Sequence, residues 1–436
     1  MTSLISEIPT VSSKQGLVES LERLVRAYYQ QPSPRDATRR RVGVSSAILG
    51  PEEAIGVLRT VLSGWITQGQ VTAQFEREFA EYIGVKHAIA VNSGSSANLV
   101  ALAALIEADR LPVGDEVIVP ATTFATVAAP LIQLGLVPVY VDVCADTYNL
   151  DPQAVEAAIS PKTAAIMPVH TVGHPADLSA VLRIAQRHNL CVIEDCCESH
   201  GSSLDGRKVG SFGAINTFSF FVAHNMTTGE GGMIVTDDEP LAILCRSLRE
   251  FGRVDQRDIA QERFYSDGVL NEYDKRYVFQ RPGYNVRMTD VAAAMGIEQL
   301  RKLDVFNARR RDNAAFYRAA LLRSCADVLE PAIERPGAFH TYYTYAMTIR
   351  PGAPFTRRQL VDHLESHGIE TRPIFAGCLP DQPGFRQAPH RIVGALPVAR
   401  WIRDWSLFLG VHPGVSDEDR QHVVQTIESF VKAQPG

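Results

Sequence analysis

Short apolar runs rich in β-branched residues alternate with helical stretches through the first half of the chain. The runs at 116–120 (Glu-Val-Ile-Val-Pro), 138–143 (Pro-Val-Tyr-Val-Asp-Val), 164–168 (Ala-Ala-Ile-Met-Pro) and 190–194 (Leu-Cys-Val-Ile-Glu) read as strands. Between them, 97–108 and 175–188 read as helices. Strands separated by helices pair through crossovers, which line them up in parallel and lay the helices over the sheet. The expected class is therefore α/β: a large domain with a mostly parallel sheet flanked by helices, followed by a smaller C-terminal α+β domain.

Length supports two domains, because 436 residues exceed what one hydrophobic core usually holds together. The expected division is an N-terminal helical extension and linker over 1–49, a large domain over 50–310 and a small domain over 311–436. The stretch 33–42, with Pro34 and the run Arg39-Arg40-Arg41, reads as a solvated linker or as a contact to a phosphate-bearing ligand. Thr289-Asp290 followed by an apolar periodicity predicts a helix start, and a long helix is expected through 303–322. Pro331, Pro336, Pro351 and Pro354 mark the second boundary, beyond which 357–368 and 416–432 read as helices.

Charged residues at 21% and hydrophobic residues at 45% place the chain among ordinary globular proteins. A net charge of −6 argues against a nucleic-acid partner. The start, Met-Thr-Ser-Leu-Ile-Ser-Glu-Ile-Pro, lacks a basic head before an apolar core, and no apolar run reaches membrane-spanning length. A cytoplasmic location without membrane association is expected. Seven cysteines, without a C-x-x-C spacing, fit reduced thiols, and the adjacent Cys196 and Cys197 read as a buried pair at a strand end. No metal site is expected.

Two segments carry candidate chemistry. Asn92-Ser93-Gly94-Ser95-Ser96-Ala97-Asn98 stands at a strand-to-helix turn, where a glycine admits an anion close to the backbone and hydroxyls and free amides donate to it. Small polar residues also fill such turns without a ligand. Asp195 follows an apolar strand and so falls at the carboxyl edge of the sheet, where ligands of open α/β sheets collect. A carboxylate there suits a protonated pyridine nitrogen. It equally suits a helix N-cap, and the residues alone leave both readings open.

Taken in order, Gly94-Ser95-Ser96, Phe124 in Pro-Ala-Thr-Thr-Phe, Asp195, Ser219 in Phe-Ser-Phe, His224 and Gly283-Tyr284-Asn285 resemble the fold type I pyridoxal phosphate (PLP) enzymes. The group resembled is the DegT/DnrJ/EryC1/StrS sugar aminotransferases, over roughly residues 50–436. The resemblance implies that Phe124 stacks on the pyridine ring, Asp195 binds its nitrogen, and Gly94, Ser95, Ser96 and Ser219 hold the phosphate. It implies that Asn285 reaches the phosphate of a neighbouring subunit's site, hence a homodimer with shared active sites. Glu198 and His200 would contact the ring hydroxyl or tune its partner, or make structural hydrogen bonds, and Asn225 would assist. Arg372 would face a nucleotide diphosphate substrate, or stand as an exposed arginine.

The segment 217–233 resembles the cofactor anchor of that family, except that His224 stands where a lysine forms the Schiff base. An imidazole cannot form that bond but can move protons, so PLP or pyridoxamine phosphate (PMP) would be held without a covalent link. The other lysines are Lys14, Lys86, Lys162, Lys208, Lys275, Lys302 and Lys432, and none follows a Phe-Ser-Phe strand; Lys208 reads as part of an exposed hairpin turn. Histidine here resembles a minority branch, the 3-dehydratases of nucleotide-linked 4-keto-6-deoxy sugars. Gly64-Trp65-Ile66-Thr67-Gln68-Gly69, Val169–Pro175, Tyr273–Tyr277 and Arg372–Gly377 fit the same branch.

That branch implies removal of the C3 hydroxyl, with His224 as base in place of lysine. Its ascarylose-type members carry a cysteine cluster for a [2Fe–2S] centre, and the corresponding stretch 251–259 here contains no cysteine, so no iron–sulfur cluster is expected. L-Glutamate is then the expected amino donor that converts PLP to PMP, with an external reductase as the other route. A sugar aminotransferase, a dehydratase of a nucleoside-attached sugar or sugar acid, and a non-catalytic partner subunit remain the alternatives.

Overall fold

Ile89 and Val91 face one core while Ala88 and Ala90, on the same strand, face another. Val117 and Val119 likewise oppose Ile118, and Ile193 opposes Val192. Alternate residues of a strand point to opposite faces, so a strand apolar at every position is one buried on both sides. The computed structural model describes residues 13–31, 41–254 and 256–434.

The central sheet has eight strands. Seven are β1 (His87–Val91), β2 (Glu116–Pro120), β3 (Val137–Val141), β4 (Thr163–Ile166), β5 (Cys191–Asp195), β6 (Ile215–Ser219) and β7 (Gly232–Thr236). Their order is β1-β7-β6-β5-β4-β2-β3, with Arg391–Ile392 pairing in parallel beyond β3. Only β7 runs against its neighbours in this sheet. β1, β2, β5 and β6 therefore end at the same edge, where β7 begins.

One face is covered by helices that include α4 (Gly94–Glu107) and α5 (Ala125–Gln133). The other is covered by α3 (Gln70–Ile83), the 35-residue helix Asp290–Ser324 and Leu178–His188. Under α3, Phe79 meets Phe218 and Phe220 edge-on at 5.0 and 5.3 Å between ring centroids. Such pairs add about 0.5–1.5 kcal/mol each beyond the area they bury, which fixes the end of β6 and its neighbour Ser219.

Asp290–Ser324 begins at the Thr289 cap as expected and continues unbroken across position 310. It contributes Ala293 to Leu303 to a core beside the main sheet and Ala314 to Leu321 to a second core. That second core lies on an antiparallel sheet of Leu329–Pro331, Tyr345–Ile349, Ser406–Leu409 and Thr371–Arg372. Ile374, Leu379 and Ile402, late in the chain, pack into the main core instead.

Two sequence boundaries shift for local reasons. α4 starts at Gly94, three residues earlier than expected, because Ser93 caps the Ser96 amide and draws the small polar residues into the first turn. The helix after β4 starts at Leu178 because Asp177, not Pro175, supplies its cap. At the N-terminus, helix α1 (Lys14–Gln30) rests on α2 (Pro51–Ser63), joined by Arg59–Glu22 and Arg26–Glu52 ion pairs. Residues 1–12, which include the leader reading, and most of the 33–42 linker lie outside the described residues; Arg41 pairs with Glu370. Among the described residues no helix is long and apolar enough to cross a membrane.

Candidate active site

Where the strands end, a cavity of about 460 Å³ opens between the main sheet and the residues around Arg372. Its floor is the turn after β1. Ser93 accepts the Ser96 amide at 3.1 Å, so the Gly94 and Ser95 amides keep no acceptor among the described residues. A Cβ on Gly94 would stand 2.5 Å from the Ser219 Cβ and 3.1 Å from the Cys197 Sγ, so only glycine lets these three segments close on one another. Gly94, Ser95 and Ser219 line the cavity together, and Ser96 sits just behind them with its hydroxyl against Ser93. Free amides at the start of a 14-residue helix, beside a serine hydroxyl, fit a phosphate.

Asp195 occupies the last position of β5, and no helix follows, which removes the N-cap reading. Its Oδ1 accepts the Cys197 amide at 3.0 Å and its Oδ2 accepts the Asn98 side-chain amide at 2.9 Å. Asn98 is in turn oriented by the Thr217 hydroxyl, 2.6 Å from its Oδ1. The carboxylate is nearly buried and makes no ion pair with any described residue, which fits a cationic ring nitrogen as its missing partner. Phe124, 54% exposed at the mouth of α5, offers a ring face to the same cavity.

His224 enters from the turn after β6, its amide bonded to the Phe221 carbonyl. Its ring lies 5.3 Å from that of Tyr343 and 5.8 Å from that of His200. Nδ1 is buried without a hydrogen-bond partner. Burial first, and the Arg310 charge second, push the imidazole down to about 3, so it is neutral at physiological pH. Glu198 goes the other way: burial holds its carboxyl well above the usual range, with the Asp195 charge adding to the effect.

Backbone strain gathers at this rim. Val172 and Tyr342 adopt φ of 54° and 47°, conformations a side chain of either kind seldom takes. Val172 donates its amide to Glu198 at 2.7 Å and its carbonyl accepts the Tyr343 amide at 2.9 Å. The strained pair thus fastens Glu198 to Tyr343, whose side chain faces the cavity beside Phe375 and Phe408.

Not every candidate converges here. Arg372 lines the cavity while pairing with Glu370. Asn225 donates to Asn307 at 2.7 Å and to the Thr341 carbonyl at 3.2 Å, behind His224 and outside the lining. Asn285 holds Arg287 and bridges Glu250, beside a second cavity on another face. His200 is fully buried among Phe218, Phe220 and His224. No lysine lines the cavity among the described residues. Lys208 belongs to a hairpin strand, half-buried, with its Nζ 2.6 Å from the Tyr82 carbonyl and over the Tyr82 ring.

Cys196 is buried in the core as expected, whereas Cys197 reaches the cavity, its thiol pushed well above its ordinary range by burial. Among the described residues, His170, Glu194 and Cys196 form the one grouping of metal-type donors. Glu194 already accepts the amides of Gly210, Phe212 and Gly213 and faces His170 at 3.1 Å, while the other His170 nitrogen accepts the Ala176 amide. Its donors are consumed by the fold. The residues that the sequence did not single out are Asn98, Tyr343 and Arg310; Asn98 alone had a visible signal, its place at the end of the Gly-Ser-Ser turn.

Free amides after β1, an acid without an ion-pair partner at the end of β5 and the Phe124 ring line one cavity, and this lining and the fold fit a PLP enzyme of the aminotransferase fold. The chain belongs to the DegT/DnrJ/EryC1/StrS aminotransferase family, which it matches over residues 48–428. It is 39% identical to the dTDP-4-dehydro-2,6-dideoxy-D-glucose 3-dehydratase of Saccharopolyspora spinosa, covering 89% of this chain and 86% of that one. It is 37% identical to the lipopolysaccharide biosynthesis protein RfbH of Salmonella typhimurium, covering 95% and 98%. Among solved structures it resembles GDP-4-keto-6-deoxy-D-mannose-3-dehydratase of E. coli with bound hydrated PLP, at a TM-score of 0.82 and 31% identity, covering 89% of this chain and all of that one. A further structure of a GDP-4-keto-6-deoxymannose-3-dehydratase holds a trapped PLP-glutamate geminal diamine, at a TM-score of 0.80 and 30% identity, covering 91% and 100%.

Proposed function

We propose that this protein is a PLP/PMP-dependent 3-dehydratase that removes the C3 hydroxyl of a nucleoside-diphosphate-linked 4-keto-6-deoxy sugar. The observation that carries the reading is a neutral, half-buried histidine where the family's lysine would stand, with the nearest lysine in sequence committed to Tyr82. Bound PMP supplies an amine that condenses with a ketone and a ring that accepts electrons.

The chain's own residues do the rest. The Gly94 and Ser95 amides and the Ser219 hydroxyl bind the phosphate, Phe124 stacks on the ring face, and Asp195, held by Asn98, keeps the ring nitrogen protonated. Glu198, its carboxyl pushed up by burial, hydrogen-bonds the ring hydroxyl. His224 accepts the proton removed beside the amine and returns it to the departing C3 oxygen, which leaves as water; a general base of this kind contributes about 10²–10⁴-fold. Arg372 engages the diphosphate. L-Glutamate serves as amino donor, a reading supported by the glutamate adduct in the related structure; hydrolysis then completes the reaction without an external reductase.

A homodimer with shared sites belongs to the same proposal. Supporting it, a cavity of about 1060 Å³ on another face is bordered by Trp65, Arg253 and Glu250, with Trp65, Ile66, Tyr277 and Phe279 all more than half exposed around it. Exposed aromatics on that scale mark an interface, and Asn285, bridged to Glu250 at its border, would serve the partner's phosphate.

Borohydride reduction of the PLP-loaded protein, followed by peptide mass analysis, tests the reading. PLP bound without a phosphopyridoxyl-lysine is expected, together with loss of dehydration in His224→Asn; stoichiometric labelling of a lysine would make the protein a sugar aminotransferase. Mixing His224→Asn with Asn285→Ala subunits tests shared sites, since mixed dimers regain activity only if Asn285 acts across subunits.

A further inference from the structure

Arg310 is the largest of the side chains buried to less than 2% exposure or nearly so, at 2% itself, and it has no carboxylate partner among the described residues. Its guanidinium meets only peptide carbonyls: Tyr343 at 2.9 Å, Tyr342 at 3.4 Å and His224 at 3.4 Å. Nε has no partner at all. Its neighbours in the sequence behave ordinarily, Arg309 pairing with Asp312 and Asp417 and Arg311 with Glu334.

A buried cation facing only dipoles is costly, because carbonyls repay part of its lost hydration and no opposite charge repays the rest. Burial lowers the guanidinium to about 10, still charged at any working pH. The fold keeps this cost at one place, directly behind the base. The guanidinium joins the peptide of His224, on the main sheet's edge, to the 342–343 peptides that lead into the smaller sheet. Tyr343 is fixed from its other side by Val172.

We propose that Arg310 is a positioning residue for the base: it fixes the His224 backbone against Tyr343 and sets an uncompensated positive charge behind the imidazole, so that a proton taken from the substrate complex is passed on rather than kept. The inference rests on the reading of His224 as base. The other groups facing that imidazole leave the charge unopposed at close range. His200 is neutral and buried, the Tyr343 phenol is held protonated by burial, and burial pushes the Glu198 carboxyl well above its usual range. Asp195, Glu230 and Arg372 line the same cavity, and Asp195 is committed to Asn98 and Cys197.

The test uses full-length PLP-loaded protein labelled at histidine Cε1 with ¹³C, with the His224 resonance assigned by its absence in His224→Asn. In the wild type that resonance does not titrate between pH 5 and 8. In Arg310→Met its midpoint rises by at least about one unit, read as an about tenfold larger protonated fraction at pH 5, while kcat with GDP-4-keto-6-deoxymannose as probe falls at least ~10-fold at unchanged KM. Arg310→Lys keeps the charge but reaches fewer carbonyls, so its His224 stays non-titrating while kcat falls. A folded Arg310→Met with His224 unchanged overturns the proposal. Where Arg310→Met does not fold, Arg310→Lys decides: wild-type kcat overturns it. The titration needs no substrate, so it stands apart from the dehydratase reading, which falls if His224→Asn retains turnover.

Discussion

The Asn98 side-chain amide lies 2.9 Å from Asp195 Oδ2, and its carbonyl accepts the Thr217 hydroxyl at 2.6 Å. One buried amide therefore orients the acid that faces the cavity. Asn98→Ala removes a donor from the Asp195 carboxylate and the Thr126 carbonyl and an acceptor from the Thr217 hydroxyl, and a buried group left unsatisfied costs about 1–3 kcal/mol. PLP affinity is expected to fall about tenfold or more, measured by absorbance titration. Unchanged affinity would mean that Asp195 holds its direction without Asn98.

Gly94→Ala asks whether the close approach at the sheet edge serves the phosphate. The new Cβ would be 2.5 Å from Ser219 Cβ, so β6 or the turn must give way. Overpacking of this kind costs about 1–3 kcal/mol. A lower Tm with PLP affinity reduced at least ~10-fold is the expected result, and pyridoxal, which lacks the phosphate, should lose less. Equal losses for both ligands would place the damage elsewhere than the phosphate cradle.

The sheet was legible because β1, β2 and β5 are apolar at nearly every position, and Asp195 because an acid at a strand's carboxyl end falls at the ligand edge. The cavity's other wall was not. Tyr343 arrives more than a hundred residues after His224 in a segment whose sequence has no periodic signal, and a strained Tyr342 turns it inward. Arg310 stands between two other arginines on a long helix, and a rotation of 100° per residue decides which one is buried. The helix passes from one core to the other at that point, a relation set by tertiary packing rather than by any local pattern.

His224→Lys should restore the family's covalent anchor. The burial that pushes the imidazole down to about 3 would also favour a neutral amine, the form that attacks an aldehyde. Borohydride is then expected to fix PLP on residue 224 and dehydration to be lost. Lys208→Met is the matching control. Because Lys208 is tied to Tyr82, this change should leave PLP binding and turnover as they are. Lost PLP binding in Lys208→Met would point to an anchor at the hairpin.

Stability should depend on pH through the buried histidines. His174 and His412 are pushed down to about 4 and His224 to about 3, and His200 and His340 lie well below the ordinary value, burial being the main cause throughout. In the unfolded chain each binds a proton near pH 6.5 while the folded protein stays neutral. Depressed pKa values of this sign give stability that is complete above about 6.5 and lost as pH falls toward 4, by up to about 1.4 kcal/mol per unit for each group. Glu198 opposes them, because its raised carboxyl contributes stability below about 4.5 that is lost as pH rises through its folded value. One group against five leaves the histidines dominant between pH 5 and 6.5. Tm should therefore fall on going from pH 7 to pH 5, and His412→Asn should flatten the slope by one group's share. A Tm equal at the two pH values would mean that these histidines accept protons in the folded protein.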